Sequence, residues 1–338
     1  MAINRIRSKK KEGLKSLYQK RIRPRVKVLQ AQRDHALRKM FLINGVAAFI
    51  ACAYFALREA RGVSRNEAGL AFIVWGIIAY ASWRKHVRPL GMKFKKEVVE
   101  KVFKALVDDC EYRPDSHISS GSFDDSHLNN SSYNTYKGED HVKGRLGHLD
   151  FEFSELVVTH EDRGLRPGGG ASGNSSRKRK RPVVRFRGLF FESPHNQNFK
   201  SRTLILDDVA ERLLGKGVGR FFQKSAARSG YELVQLESTE FEKRFKVQST
   251  DQVHARVLLT PKVMEGITKF SKKRKKKVEV SVTENRVYLM VHERSKNYFE
   301  PRYFGSIVSF KDLTEIYDLL RLFEGLMAEL DVHEQAAA

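Results

Sequence analysis

Two uncharged apolar stretches, separated by a short polar connector, constrain this chain more than any other feature. The first is FLINGVAAFIACAYFAL (41–57), the second is AGLAFIVWGIIAYASW (68–83), and the connector is Arg58–Glu67. A helix needs about 20 residues to cross roughly 30 Å of hydrocarbon. Small residues recur in both stretches, and such residues let two helices approach closely in lipid. The pattern predicts a transmembrane helical hairpin over 40–84. The alternative is a buried helical pair inside a soluble domain.

Lysine and arginine flank both outer ends of the predicted hairpin. The connector carries only Arg58, Arg61 and Arg65, and Glu59 and Glu67 partly offset them. The positive-inside rule therefore places both termini in the cytoplasm. Basic residues beside a membrane are also attracted to anionic head groups. We expect this contact from Arg21, Arg23, Arg25, Lys27, Arg38, Lys39, Arg84, Lys85 and Arg88.

The composition agrees with a membrane protein facing a reducing compartment. The chain has 338 residues, a formal net charge of +23 and two cysteines, Cys52 and Cys110. Two isolated cysteines provide neither a disulfide framework nor a CxxC site. A long polar segment before the first apolar stretch, and a second stretch after it, argue against a secretory signal. The basic balance is compatible with anionic lipid or with nucleic acid.

The order of composition along the chain predicts an α+β protein. A two-helix transmembrane hairpin is followed by a mixed soluble domain with antiparallel hairpins and a long C-terminal amphipathic helix. The predicted segments are a basic juxtamembrane arm (1–39), the hairpin (40–84), a linking amphipathic helix (85–108), a flexible polar segment (109–140), and a cytosolic α+β domain (141–332) with a disordered basic loop (164–182).

Local signals place the elements of that domain. Alternating apolar residues predict strands, for example through Leu149, Phe151 and Phe153. The stretch KVEVSVTENRVYLMVHE predicts a β-hairpin turning at Glu284-Asn285. Thr260-Pro261 predicts the start of a helix, and an apolar face along Phe310–Leu330 predicts the C-terminal helix.

The chain carries no recognisable catalytic motif. Asp251 and His254 are the candidate catalytic residues, with Ser249 nearby, but neighbours in sequence do not by themselves form a triad. The structural reading makes Asp251 a helix cap and His254 a surface residue. The spacing of acidic and histidine residues between Asp115 and His127 matches no known ligand pattern. We therefore expect no metal site and no cofactor.

Four stretches together resemble an uncharacterised bacterial family described as domain of unknown function 3137. They are Arg187–Leu206, Leu233–Met264, Val287–Val291 and Phe299–Leu330. The resemblance implies a protein of the bacterial inner (cytoplasmic) membrane, multi-pass, with a mixed α+β cytosolic domain. It implies no catalytic residues. It also suggests a membrane-associated partner of the LemA type.

These observations lead to three hypotheses on function. The first is a membrane-anchored cytosolic domain, not an enzyme, that binds a protein partner or the membrane surface. The second is a membrane-anchored enzyme of unknown reaction. The third is nucleic-acid binding through the basic runs Arg177–Arg181 and Lys272–Lys277, which lack the interleaved aromatic residues that stack on bases. The reaction, the partner and the oligomeric state are not encoded in any recognisable pattern.

Overall fold

The computed structural model describes most of the chain in two compact units. The residues described are 13–59, 65–147, 149–161, 181–194, 201–207, 230–283, 285–293, 297–302 and 307–335. Unit 1 comprises Met1–Ala105 and Phe299–Glu315, and unit 2 comprises Leu106–Tyr298 and Ile316–Ala338. The loop expected at 164–182 lies outside the described residues except at its end.

Unit 1 is built from helices. A π-helical turn, Tyr18–Ile22, leads into α1 (Arg23–Glu59), which packs against α2 (Arg65–His86). After Val87 the chain continues as α3 (Arg88–Phe94), a second π-helical turn (Lys95–Val99) and α4 (Glu100–Leu106). The linking helix expected at 85–108 is therefore present, but it is interrupted by a turn at Val87 and by the π turn.

The part of α1 that precedes the apolar stretch has a buried side and an exposed side. Ile22, Val26, Leu29 and Arg33 recur at intervals of three and four residues and are buried. That spacing puts their side chains on one stripe of the helix. Other positions of this part of α1, among them Arg25, Lys27 and Val28, are exposed.

The chain segment 299–315 packs within the same unit. Lys95, which is 3% exposed, lies 3.2 Å from the Glu300 carboxylate. Arg33 donates a hydrogen bond to the Arg302 carbonyl at 3.0 Å. Phe299 contacts the Phe103 ring edge-on. A buried ammonium group needs such a partner, because removing it from water is otherwise costly.

One helical stretch among the described residues is long and apolar enough to cross a membrane. It runs from Gly13 to Tyr54, and most of its apolar part is not buried within the protein. Length and composition alone define this property, and a signal sequence near an N-terminus shares it. The predicted second span, 68–83, lies within α2.

Unit 2 is organised around an antiparallel sheet to which the described residues contribute nine strands. Their spatial order is β1-β2-β3-β4-β9-β8-β5-β7-β6, and every pairing is antiparallel. The strands are β1 (Asp108–Arg113), β2 (Thr135–Leu146), β3 (Leu149–His160), β4 (Val183–Pro194), β5 (Thr203–Asp207), β6 (Glu232–Val234), β7 (Phe245–Ser249), β8 (Val278–Val282) and β9 (Arg286–His292).

The remaining helices of the described chain follow or separate these strands. They are α5 (Ser120–Asp125), α6 (Thr239–Glu242), α7 (Gln252–Leu258), α8 (Pro261–Arg274) and α9 (Phe310–Gln335), whose first residues belong to unit 1. Thr260 caps α8 by accepting the Val263 N–H, as its Thr-Pro start predicts. The predicted hairpin is confirmed as β8–β9, although Glu284 lies outside the described residues.

Both faces of the sheet bury aromatic side chains. On one face Phe123 of α5 is fully buried against Phe186 and Phe190 of β4. On the other face Phe323 of α9 packs against Phe151 and Phe191. Because successive side chains of a strand point to opposite faces, Phe190 packs on one face of the sheet and Phe191 on the other.

The polar segment 109–140 differs from the flexible linker that its composition predicts. It contains most of β1, α5 and the start of β2, and Ile118 and Phe123 are buried in the core. A few apolar residues fasten it to the sheet. Tyr136 also donates hydrogen bonds to the carbonyl oxygens of Ile118 and Ser119. The sheet therefore begins at residue 108 and not at 141.

Candidate functional site

The nine basic residues expected to meet anionic head groups are all exposed in unit 1. They fall into two groups along the helices. The near group adjoins the apolar stretches: Arg38 and Lys39 precede Phe41, Arg84 and Lys85 end α2, and Arg88 begins α3. The distal group, Arg21, Arg23, Arg25 and Lys27, lies much earlier, in the first π turn and the start of α1.

The apolar stretches of α1 and α2 expose large side chains. Phe49 is 75% exposed and Leu42 69% on α1, while Tyr80 is 62% and Ile77 61% exposed on α2. Exposed apolar residues of both helices are Phe41, Leu42, Ile43, Val46, Phe49, Ile50, Tyr54, Ile73, Val74, Trp75, Ile77 and Tyr80. The described part of the helical pair is thus apolar on its outside, whereas a core helix of a soluble protein is apolar on its inside.

The side chains of Asp251 and His254 contact different groups. The Asp251 carboxylate accepts the backbone N–H groups of Val253 and His254 at 2.9 Å and 3.0 Å, which makes it the N-cap of α7. The His254 ring lies instead beside Ser201, with Nδ1 2.5 Å from the hydroxyl oxygen. The predicted capping role of Asp251 agrees with this geometry.

A pair of carboxyl groups, which sequence reasoning did not single out, lies on the α5 face of the sheet. Glu152 of β3 and Glu192 of β4 occupy directly opposite positions of adjacent strands, where side chains approach closely. The His141 ring nitrogen Nε2 lies 2.7 Å from Glu152. Ser122 of α5 donates a hydrogen bond to Glu192 at 3.4 Å, and Arg286 of β9 lies 3.4 Å from the same carboxyl group.

The pKa values of the two carboxyl groups are shifted in opposite directions. Burial, together with the neighbouring Glu152 and against the opposing charge of Arg286, raises the pKa of Glu192 to about 7. The hydrogen bond with His141 lowers the pKa of Glu152 to about 2, against a smaller effect of burial. The contrast is physically expected, because two adjacent carboxylates do not ionise together easily and the more buried one retains the proton.

This cluster, which we call the carboxyl pair, combines one carboxyl group whose pKa is raised with one whose pKa is lowered. Burial and the charge of Glu192 also raise the pKa of Tyr288, opposite Glu192 on β9, to about 12. Among the described residues, no group of three or more His, Cys, Asp and Glu side chains could hold a metal ion. Two adjacent carboxyl groups with pKa values shifted in opposite directions are able to bind and transfer a proton.

The sequence indicates that each glutamate is unusual, but it does not indicate that the two lie together. Glu192 interrupts the apolar run GLFFES, and Glu152 alternates with Phe151 and Phe153. Each is thus a charged residue within a strand that has a buried face. Their proximity depends on the register between β3 and β4, which are separated by residues 161–182.

The basic run Lys272–Lys277 is largely neutralised within unit 2. Lys272 pairs with Glu240 at 2.5 Å, Lys273 with Asp318 at 2.9 Å and Lys277 with Glu279 at 2.8 Å. Lys276 pairs with Glu293. Of the other run, Arg177–Arg181, all but Arg181 lies outside the described residues.

The described residues thus define an α+β protein with a long apolar helix near its N-terminus, an antiparallel sheet and a C-terminal helix. Residues 184–332, which include β4 to β9 and most of α9, match the family described as "Protein of unknown function (DUF3137)". This match confirms the resemblance drawn from the sequence, over a segment that is less than half of the chain.

Comparison with other proteins adds little. No curated protein matches the chain. A solved structure, the crystal structure of the mycobacterial trehalose monomycolate transport factor A, TtfA, matches at 10% identity over 70% of this chain and 96% of that chain. Its TM-score is 0.31, a similarity too weak to support a common fold or function.

Proposed function

We propose that this chain is a membrane-anchored protein in which α1 and α2 both cross the bilayer and unit 2 is a cytosolic binding module. The observation that carries the proposal is the exposure of large apolar side chains on both packed helices. Burying one such side chain is worth about 1.5–3 kcal/mol. A dozen of them in water would be far more unfavourable than a monomeric soluble protein tolerates. A hydrocarbon environment removes that cost.

Helix length supports two crossings. α2 has 22 residues, which at about 1.5 Å each gives a length of roughly 33 Å. This matches the hydrocarbon thickness of about 30 Å. α1 has 37 residues and is longer than one crossing needs. Its apolar stretch lies in the second half of the helix, so the first half extends beyond the bilayer on the side of the basic residues.

The distribution of charge supports a cytoplasmic position for both termini. The near group, Arg38, Lys39, Arg84, Lys85 and Arg88, meets the end of the apolar stretches where α1 enters and α2 leaves the bilayer. Each basic residue there gains about 1 kcal/mol from an anionic leaflet. We propose a bilayer with anionic head groups as the first partner, and a multi-pass protein of the bacterial cytoplasmic membrane as the setting.

Two alternative functions have less support. Nucleic-acid binding needs free basic groups, whereas four residues of the Lys272–Lys277 run already have carboxylate partners. An enzymatic role would use the carboxyl pair or the Ser201–His254 contact. A protein partner of unit 2 agrees better with the family resemblance, which suggests a membrane-associated protein of the LemA type.

Cysteine accessibility in intact cells tests the topology. The variant would replace Cys52 and Cys110 by serine and carry Ser64→Cys in the connector, and a matched variant would carry a cysteine at Gln335. We expect a membrane-impermeant thiol reagent to label Ser64→Cys from outside, and Gln335→Cys only after the cells are opened. Labelling of both variants from outside would refute two crossings, as would release of the protein from membranes by alkaline carbonate.

A further inference from the structure

Glu192 lies between an acidic and a basic side chain of the two neighbouring strands. β4 has β3 on one side and β9 on the other. On β3 the residue opposite Glu192 is Glu152, and from β9 the Arg286 guanidinium comes within 3.4 Å of the Glu192 carboxyl group. Glu192 itself is 3% exposed. Its ionised form therefore meets the cost of burial, repulsion from one strand and attraction from the other.

The elements around the carboxyl pair bring further titratable and charged groups near it. Tyr136 and Tyr288 remain neutral near neutral pH, since burial raises the pKa of both. Burial also raises the pKa of Glu192 to about 7, an effect that Glu152 reinforces and Arg286 opposes. The groups are Glu152 on β3, Tyr136, His141 and Lys143 on β2, Arg286 and Tyr288 on β9, Arg202 before β5, and Asp124, Asp125, His127 and Tyr133 on α5 and the residues after it.

The segment Ser119–Tyr133, which we call the cover, contains α5 and the residues that follow it. Hydrogen bonds from the backbone fix the chain at both of its ends. Before the cover, the Ile118 N–H donates to the Ser154 hydroxyl oxygen at 3.0 Å. After the cover, the Asn134 N–H donates to the Thr159 carbonyl oxygen at 3.2 Å. The two ends of the cover are thus attached to the same strand, β3, on either side of α5.

Between these ends α5 contacts the sheet through neighbouring side chains. Phe123 is fully buried and packs on Phe190, an apolar contact that does not depend on pH. Ser122 donates a hydrogen bond to Glu192 at 3.4 Å. A hydroxyl bound to an ionised carboxylate typically lies closer, at about 2.5–2.7 Å. The geometry therefore agrees with a neutral Glu192 beneath a closed cover.

We propose that Glu192 is a proton-dependent latch for the cover. With its proton, Glu192 stays buried beneath α5. Once ionised, it favours a state in which α5 has lifted from the sheet and water reaches the carboxylate. The latch would control how often the aromatic face formed by Phe186, Phe190 and Tyr288 is uncovered.

The size of the effect follows from linkage. When α5 lifts, Glu192 returns to water and its pKa falls back toward 4.5. Because the closed state binds the proton more tightly, loss of the proton favours the open state. The shift from 4.5 to about 7 limits the change in the ratio of open to closed molecules to about 300-fold. Between about pH 6 and about pH 8 the expected change is about tenfold.

Hydrogen exchange followed by mass spectrometry tests the latch in the full chain in one detergent. Protection factors, corrected for the intrinsic exchange rate at each pH, are compared for peptides from α5 and from β4 at about pH 6 and about pH 8. Wild type is compared with Glu192→Gln, which cannot ionise. The matched control is Glu265→Gln, which removes an exposed carboxylate of α8.

We expect lower protection for α5 than for β4 at both pH values, because α5 opens without unfolding of the sheet. The protection factor of α5 should fall by about tenfold from about pH 6 to about pH 8 in wild type and in Glu265→Gln. In Glu192→Gln it should change by less than about twofold. A second variant, Glu152→Gln, removes the acid that raises the pKa of Glu192, so the fall should occur at lower pH.

Equal protection of α5 and β4 would overturn the proposal, because α5 would then open only when the whole sheet unfolds. The proposal also fails if the protection of α5 in wild type is independent of pH, or if it falls as steeply in Glu192→Gln. In either case proton loss from Glu192 would not control the cover. The test does not depend on whether α1 and α2 cross a membrane, so its outcome is separate from that of the topology experiment.

Discussion

Replacing Glu192 by glutamine should change how the stability of the protein depends on pH. Glutamine resembles a protonated glutamate in shape and cannot ionise. Glu192 is 3% exposed and its pKa is raised from 4.5 to about 7, by burial first and by Glu152 second. In the unfolded chain the same group returns to its ordinary value. Between about pH 4.5 and about pH 7 the folded protein therefore binds a proton that the unfolded chain has released.

The sign of the effect follows from this difference. A carboxyl group with a raised pKa in the folded state stabilises the fold fully below its ordinary pKa. That contribution is lost as the pH rises toward about 7. At 1.36 kcal/mol for each pH unit, the change of about 2.5 units corresponds to about 3 kcal/mol for Glu192. Glu152 titrates lower, with its pKa lowered to about 2 chiefly by His141, so it loses its contribution only in strong acid.

The assay compares Glu192→Gln with wild type by thermal unfolding of the full chain in one detergent from about pH 5 to about pH 8. We expect similar midpoints at low pH and a midpoint several degrees higher for the variant at high pH, since 1 kcal/mol shifts the midpoint by about 2–4 °C in domains of about 150–250 residues. The difference in unfolding midpoint between the two proteins, taken at each pH, cancels the contributions of other titrating groups. One of these is His127, whose pKa is lowered by burial and by Arg202.

The matched control is Glu265→Gln on α8, an exposed glutamate paired with Lys269 one helical turn away. The free energy of unfolding of Glu265→Gln should differ from that of wild type by an amount that varies by no more than about 0.5 kcal/mol over the same pH range, because surface ion pairs contribute little. The reasoning would be refuted if the difference in midpoint between Glu192→Gln and wild type did not change with pH. It would also be refuted if the variant were less stable than wild type at about pH 8.

Three further predictions concern the anchor and the cores. Ile77→Asp should increase the fraction of protein extracted by alkaline carbonate relative to Ile77→Leu, because aspartate in the middle of a span costs about 2.5–3.5 kcal/mol. Phe123→Ala should lower the free energy of unfolding by about 3–5 kcal/mol, measured by denaturant titration, with a smaller loss for Phe123→Leu. Gly188→Ala should abolish the yield of folded protein after extraction in detergent, because Gly188 has φ of +149° and an added Cβ would overlap the Val291 carbonyl oxygen. Gly325→Ala on α9, where an added Cβ meets nothing within 4 Å, should be neutral or stabilising by up to about 1 kcal/mol.

The polar segment 109–140 is where the structure departs most clearly from what the sequence predicts. Its serine, asparagine and aspartate content predicts a linker, since such residues favour turns. The structure shows Ile118 and Phe123 buried against the sheet, and Ser119 caps α5 by accepting the Ser122 N–H. The average composition of the segment thus does not reveal its two buried apolar residues, which pack the segment against the sheet. Their burial could not be foreseen, because it depends on strands far along the chain.

Sequence periodicity determined the local elements well where the signal is local. The helix caps at Asp251 and Thr260 follow from one or two residues, and both are observed. The C-terminal helix follows from its apolar face and extends to Gln335. The resemblance to this family also follows from sequence, and the match over residues 184–332 confirms that resemblance. These features depend on neighbours within a few positions, so the sequence alone is sufficient.

Only the tertiary structure brought Glu152 and Glu192 together, and only it separated the near from the distal basic residues. The first result depends on strand register, because a shift of one residue would turn Glu192 to the opposite face. The second depends on α1 being one continuous helix, because the distance between Lys27 and Phe41 is fixed only when the chain between them is rigid. Composition and charge determined the chemical character of these side chains, whereas pairing across the sheet and the length of one helix decided where the side chains lie.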